Sequence, residues 1–103
     1  MSIRERQFAE EFLNWKQFNQ GRSVATIVKY KVYLDRFFTF LKTNNKTIFD
    51  VDIVVFRKFT GQYSHSEGMS PRSRRTLVAA VRGFFAFLYQ NGTKKLSYRF
   101  RIP

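Results

Sequence analysis

Residues 23–41 read SVATIVKYKVYLDRFFTFL. Ile27, Tyr30, Leu34, Phe37, Phe38 and Leu41 recur at spacings of three and four, the period of a single helix face. Ser23 stands just ahead of them, where a hydroxyl can accept from a free first-turn N–H, and it is read as the N-cap. Asn44-Asn45 closes the segment. A helix of this length with one aromatic stripe cannot be stable alone. It requires further apolar walls from the rest of the chain.

Residues 70–90, SPRSRRTLVAAVRGFFAFLYQ, supply the second wall. Ser70 is the expected cap, and Pro71 sits at the first helical position, where its missing N–H costs nothing. Leu77, Val81, Phe84 and Leu88 form the stripe, widened by Val78 and Phe85, and Asn91-Gly92 is a suitable stop. A first helical segment runs from about Ile3 to Asn19, with Phe8, Phe12, Trp15 and Phe18 or Asn19 at helical spacing and Gly21 as its stop. A third runs from Asp50 or Asp52 to Tyr63, with Ile53, Phe56, Phe59 and Tyr63 on one side. Ile53-Val54-Val55 equally fits a short strand, because β-branched residues favour extended backbone. Ser64 to Gly68 reads as a loop. Phe40 and Phe87 fall outside the stripes and are free to line a partner surface. The expected fold is all-α, a compact four-helix bundle over residues 1–92, followed by a basic tail over 93–103.

The chain has 103 residues, with 19 lysines and arginines against seven carboxylates and a net charge of +12. Its 18% aromatic content sets it apart from a disordered basic tail, since it can bury a core and still present a strong positive field. The commonest partner of a folded cation is a polyanion, with nucleic acid first. Cysteine is absent, which rules out a disulfide framework, a thiolate nucleophile and a cysteine zinc site. His65 is the sole histidine. Glu10-Glu11 and Asp50/Asp52 point apart on a helix, and one of the aspartates is better used as the cap of the third segment. No glycine-rich phosphate loop occurs. No metal, cofactor or catalytic residue is therefore expected. The charged start lacks a secretory apolar region, and runs such as Ile53–Phe56 are too short for a bilayer, so the expected setting is cytoplasmic with no membrane partner.

The charge has a direction. At 100° per residue, Arg72, Arg75 and Arg82 gather opposite the stripe of the fourth segment, with Ala79 and Ala86 between and beyond them. All four basic residues there, Arg74 included, are arginine, whose planar fork suits phosphate and guanine. Small residues between arginines let a helix approach a major groove closely. The alternative is a merely solvated basic face. On the second segment Thr26, Lys29, Tyr33 and Arg36 share a face away from the stripe. Ser23 and Thr26 occupy the first turn, where free N–H groups can bind phosphate.

Two stretches resemble a known family. Ser23-x-x-Thr26-x-x-x-Tyr30-x-x-x-Leu34-x-x-Phe37-x-x-Phe40-Leu41 is similar to the second helix of the N-terminal core-binding domain of tyrosine recombinases, the phage integrase family. Ser70-x-x-Ser73, followed by Leu77-Val78-Ala79-Ala80-Val81-Arg82-Gly83-Phe84-Phe85-Ala86-Phe87-Leu88, resembles that domain's last long helix. The likeness spans about Phe8 to Gly92. It implies a SAM-like four-helix bundle forming half of a clamp on double-stranded DNA, with a catalytic domain as the other half and sister protomers as further partners. The matched positions are Ser23, Thr26, Lys29 and Tyr30, then Ser73 and Arg82, Tyr30 being core first. Arg36, Arg72 and Arg75 come from the face analysis alone. Two features depart from the family pattern: Thr76 stands where many members have a basic residue, and no Asn-Pro pair follows the last helix. The catalytic set of arginine, lysine, His-x-x-Arg, a further His or Trp and a tyrosine nucleophile has no counterpart here. The resemblance thus implies a non-catalytic DNA-binding fragment of a recombinase. The rivals are a helix-turn-helix regulator, disfavoured by the third segment between the two basic helices, and a basic protein-interaction or membrane-surface bundle.

Overall fold

The computed structural model describes residues 3–90, and side-chain surroundings from Arg6 onward. The expected stop at Asn91-Gly92 and the tail over 93–103 lie outside the described residues. Those described form four α-helices and no strand: α1 (Ile3–Asn14), α2 (Val24–Thr43), α3 (Ile53–Ser66) and α4 (Pro71–Gln90). The most extensive helix pairing is α2 with α4, and α4 also packs on α1 and α3. The three caps are local chemistry. Ser23 Oγ accepts from the Thr26 N–H at 3.3 Å, Asp52 Oδ1 from Val55 at 2.9 Å, and Ser70 Oγ from Ser73 at 3.2 Å. The Asp52 cap settles Ile53-Val54-Val55 as the first turn of a helix.

Three expectations need correction. The α-helical part of the first segment ends at Asn14, and Trp15–Asn19 form a π-turn in which the Gln20 N–H reaches the Trp15 carbonyl at 3.2 Å. Bonding to the fifth residue widens the turn and rotates Phe18 off the core side, leaving it 74% exposed. Gly21, at φ 65°, then lets the Arg22 N–H close back on the Lys16 carbonyl at 3.1 Å. Next, the stretch read as a loop from Ser64 is helical to Ser66: the Glu67 N–H still reaches the Tyr63 carbonyl at 3.0 Å, and the stop comes only at Gly68, whose φ of 59° lets the Met69 N–H close on the Ser64 carbonyl at 2.9 Å. Finally, Phe87 is 8% exposed and packs at a tilt against Trp15, ring centres 5.3 Å apart, while Phe40 is half-buried 5.3 Å from Phe59, so neither offers a free partner surface.

Thr47 and Asp50 build a short 3₁₀ turn (Ile48–Asp50) that the periodicity does not announce. It carries Ile48 and Val51 into the core, each 1% exposed. The centre of the core is aromatic. Phe12 lies flat on Tyr30 at 6.3 Å and meets Phe84 and Phe87 at 5.8 Å each, which places Tyr30 in the core as expected. Phe37 meets Phe59 and Phe85 edge-on at 5.0 and 5.8 Å. Such ring pairs add about 0.5–1.5 kcal/mol each beyond their burial. Lys16 roofs one end with its ammonium 5.4 Å from the Trp15 ring, and burial, then Arg22, holds its pKa below the usual lysine value. No buried side-chain nitrogen or oxygen among the described residues lacks a partner.

Candidate nucleic-acid interface

The arginines of α4 stand outward because its other sides are spent on the core. Leu77, Ala80, Val81 and Phe84 are sealed at 0% exposure, while Arg72, Arg74, Arg75, Ala79, Arg82 and Ala86 are exposed. Among the described residues, none of Arg72, Arg75 and Arg82 is joined to a carboxylate. Arg75 and Arg82 line one groove of about 530 Å³ with Pro71, Arg74, Val78 and Ala79. Arg72 lies on the same outer side but does not line that groove.

Both basic helices begin in the same manner. At α2 the Ser23 hydroxyl meets the Thr26 hydroxyl at 3.0 Å, and at α4 the Ser70 hydroxyl meets that of Ser73 at 3.2 Å. A capping box would place a carboxylate at the third helical position. Here that position holds a hydroxyl, and neither first turn contains an acid. The positive end of each helix dipole is thus uncompensated. Arg72 and Arg74 add like charge to it at α4, an arrangement that costs stability.

On α2, Lys29 and Arg36 are exposed, Ser23 is exposed and Thr26 is half-buried. Arg36 lines a groove of about 430 Å³ with Tyr63 of α3, Phe40, Phe59 and Gln62. Burial first, then Glu67, raises the Tyr63 pKa, and Arg36 opposes them. Tyr63 also lines a neighbouring groove of about 330 Å³ with Tyr33, Glu67, Ser70 and Ser73. That groove brings α2 and the start of α4 together, so Arg36 and Ser73 are linked through one tyrosine. Ser23, Thr26 and Lys29 line none of these three grooves. Arg74, Tyr33, Tyr63 and Glu67 join the surface without having been singled out as site residues. Tyr33 shared the Lys29/Arg36 face in sequence, and Arg74 stood in the arginine run, but Tyr63 read as core and Glu67 as loop.

No group of three or more potential metal ligands occurs among the described residues, and none of their helices is long and apolar enough to cross a membrane. What remains chemically is an anion-receptive surface of guanidinium forks, hydroxyls and free N–H groups.

Comparison with known proteins agrees with the bundle. The family described as phage integrase, N-terminal SAM-like domain, matches residues 9–92. The chain belongs to this family. Two curated relatives of the SAM-like domain carry the name tyrosine recombinase XerD. One, from Listeria innocua serovar 6a, is 31% identical over 85 residues, covering 81% of this chain and 28% of that protein. The other, from Listeria monocytogenes serovar 1/2a, is 34% identical over 88 residues, with the same coverage of 81% and 28%. The chain thus spans little more than a quarter of the length of these relatives. No solved structure is matched significantly.

Proposed function

We propose that this SAM-like domain grips double-stranded DNA for a site-specific tyrosine recombinase acting in the cytoplasm. It supplies binding and no chemistry of its own. Arg72, Arg75 and Arg82 on α4, with Lys29 and Arg36 on α2, bring their positive charge against the duplex and offset that of its phosphates. Ser23, Thr26 and Ser73 fix the two helix starts, leaving the N–H groups of Val24 and Ala25 at α2 and of Arg72 at α4 for the backbone, since Pro71 has none and those of Thr26 and Ser73 are taken by the caps. The domain occupies residues 1–92, with 93–103 leading towards a catalytic domain in the complete recombinase, which also meets sister protomers on the DNA. The observation that carries this reading is the arginine-bearing outer side of α4, free of carboxylates and continuous with a helix start that has no acid in its first turn.

Half of a clamp binds weakly, and tethering to a second DNA-binding unit raises avidity through effective concentration. The direct test is fluorescence anisotropy of a labelled duplex at low salt. Saturable binding that falls at least tenfold when Arg72, Arg75 and Arg82 are all changed to Ala supports the reading. Binding that survives this change unaltered refutes the assignment of α4. A protein-interaction role has one observation in its favour: Val24, Val28 and Val32 are exposed at four-residue spacing on α2, together with Phe18. Self-association abolished by Val28→Asp, with no binding of duplex, would favour that second role.

A further inference from the structure

The α4 groove contains more than a phosphate grip requires. Arg75 and Arg82 are seven residues apart, so they project within about 20° of one another and about 10.5 Å apart along the axis. Between them the groove wall is formed by Val78 and Ala79, side chains that offer methyl groups only. Alanine also serves helix propensity, but a phosphate grip would be better supplied by hydroxyl or amide donors, and none stands between these two cations. Basic, small apolar and basic at successive helical turns is instead the pattern of a helix reading base edges. Side chains one turn apart on a major-groove helix meet successive base pairs. Arginine pairs with guanine O6 and N7 through both arms of its fork, and alanine packs on the thymine methyl. Ala79 is also short enough for the backbone to come close, whereas a longer side chain would hold the helix off the bases.

We propose that α4 reads a three-base-pair element in the major groove, two G·C pairs flanking a T·A pair. Arg75 and Arg82 each fork onto a guanine, and the Ala79 methyl meets the thymine methyl between them. Arg72, continuing the row towards the helix start, and Arg74, beside it, take the flanking phosphates. The inference rests on the DNA-binding reading above and deepens it from backbone gripping to sequence choice. No carboxylate lines the groove, so a cytosine amino group finds no acceptor there and the outer pairs are chosen by their guanines.

The test uses the full chain to select from a randomised duplex pool at low salt, followed by anisotropy on the selected duplex with altered bases. The pool converges on two guanines flanking a thymine. Replacing either guanine with 7-deazaguanine, which lacks the N7 acceptor, weakens binding about tenfold. Arg75→Lys or Arg82→Lys keeps the charge and the salt dependence but loses the discrimination at one guanine only. Uracil in place of thymine weakens the unmodified protein a few-fold and leaves Ala79→Ser indifferent. A pool that stays random, while duplex binding and its salt dependence persist, overturns the base-reading inference and leaves the DNA grip standing. Absence of any duplex binding overturns both.

Discussion

Gly83 of α4 faces the ring of Phe12 of α1: a Cβ at position 83 would lie 3.2 Å from Phe12 Cζ and 3.4 Å from Cε1. A mid-helix glycine ordinarily forfeits about 1 kcal/mol relative to alanine. Here it stands where α4 packs directly on the Phe12 ring of α1. Phe12 cannot swing aside, because Tyr30, Phe84 and Phe87 hold its ring on several sides. Gly83→Ala is therefore expected to lower stability by about 1 kcal/mol in urea denaturation, overpacking outweighing the gain in propensity. Gly83→Val is expected to cost more than twice as much. A stabilised Gly83→Ala would mean that the α1–α4 contact is looser than these distances imply.

The Ser23 cap separates stability from binding. Aspartate caps a helix as well as serine does and interacts favourably with the dipole. Ser23→Asp should hold or slightly raise the unfolding midpoint, and Ser23→Ala should lower stability by about 1 kcal/mol. If phosphate docks at this helix start, Ser23→Asp nevertheless weakens duplex binding, because a carboxylate then occupies the position the phosphate needs. Equal binding by Ser23→Asp and the unmodified protein would remove the α2 start from the interface.

Arg72 makes the same trade visible on α4. It lies in a first turn without acids, where a cation is opposed by the helix dipole. Arg72→Glu should stabilise the free protein by about 0.3–1 kcal/mol and weaken duplex binding severalfold. A destabilised Arg72→Glu, measured in the same denaturation assay, would contradict the claim that α4 carries an uncompensated positive end.

How much of this was legible in the sequence depended on range. Ser23, Asp52 and Ser70 act within three residues, so their caps could be read directly, and the apolar stripes located the helices. The π-turn could not be read, since no local signal in Trp15–Asn19 marks bonding to the fifth residue, and Trp15 there meets Phe87, more than seventy residues away. Phe87 was misplaced for a related reason. A single stripe presumes one wall, but α4 is flanked by α1, α2 and α3, and the buried arc widens to include Ala80 and Phe87. The arginine face of α4 was visible because one helix contains it. The junction of Tyr33, Tyr63 and Ser73 was not, because three helical elements contribute to it.

Asp50 gives an acid-side test of the 3₁₀ turn. The Thr47 backbone N–H, donating at 2.8 Å, is the largest influence holding the Asp50 carboxyl below its ordinary value of 3.8, with the Thr47 hydroxyl next. The folded protein therefore binds this proton less readily than the unfolded chain. Its contribution is complete above the ordinary value and disappears as pH falls through the lower folded value. Asp50→Asn should flatten that part of the stability profile between neutral pH and pH 2. An unchanged acid limb in the variant would show that the Thr47–Asp50 pair adds nothing to folding.

The salt dependence of duplex binding tests the whole account most directly. Lys29, Arg36, Arg72, Arg75 and Arg82, from the backbone or from within the groove, offset about five phosphate charges and so require log affinity to fall against log salt with a slope of about −4 to −5. Changing Arg72, Arg75 and Arg82 together to Ala should reduce the magnitude of that slope by about 3. A flat slope for the unmodified protein, or an unchanged slope in the triple variant, would contradict a DNA grip built from the outer side of α4.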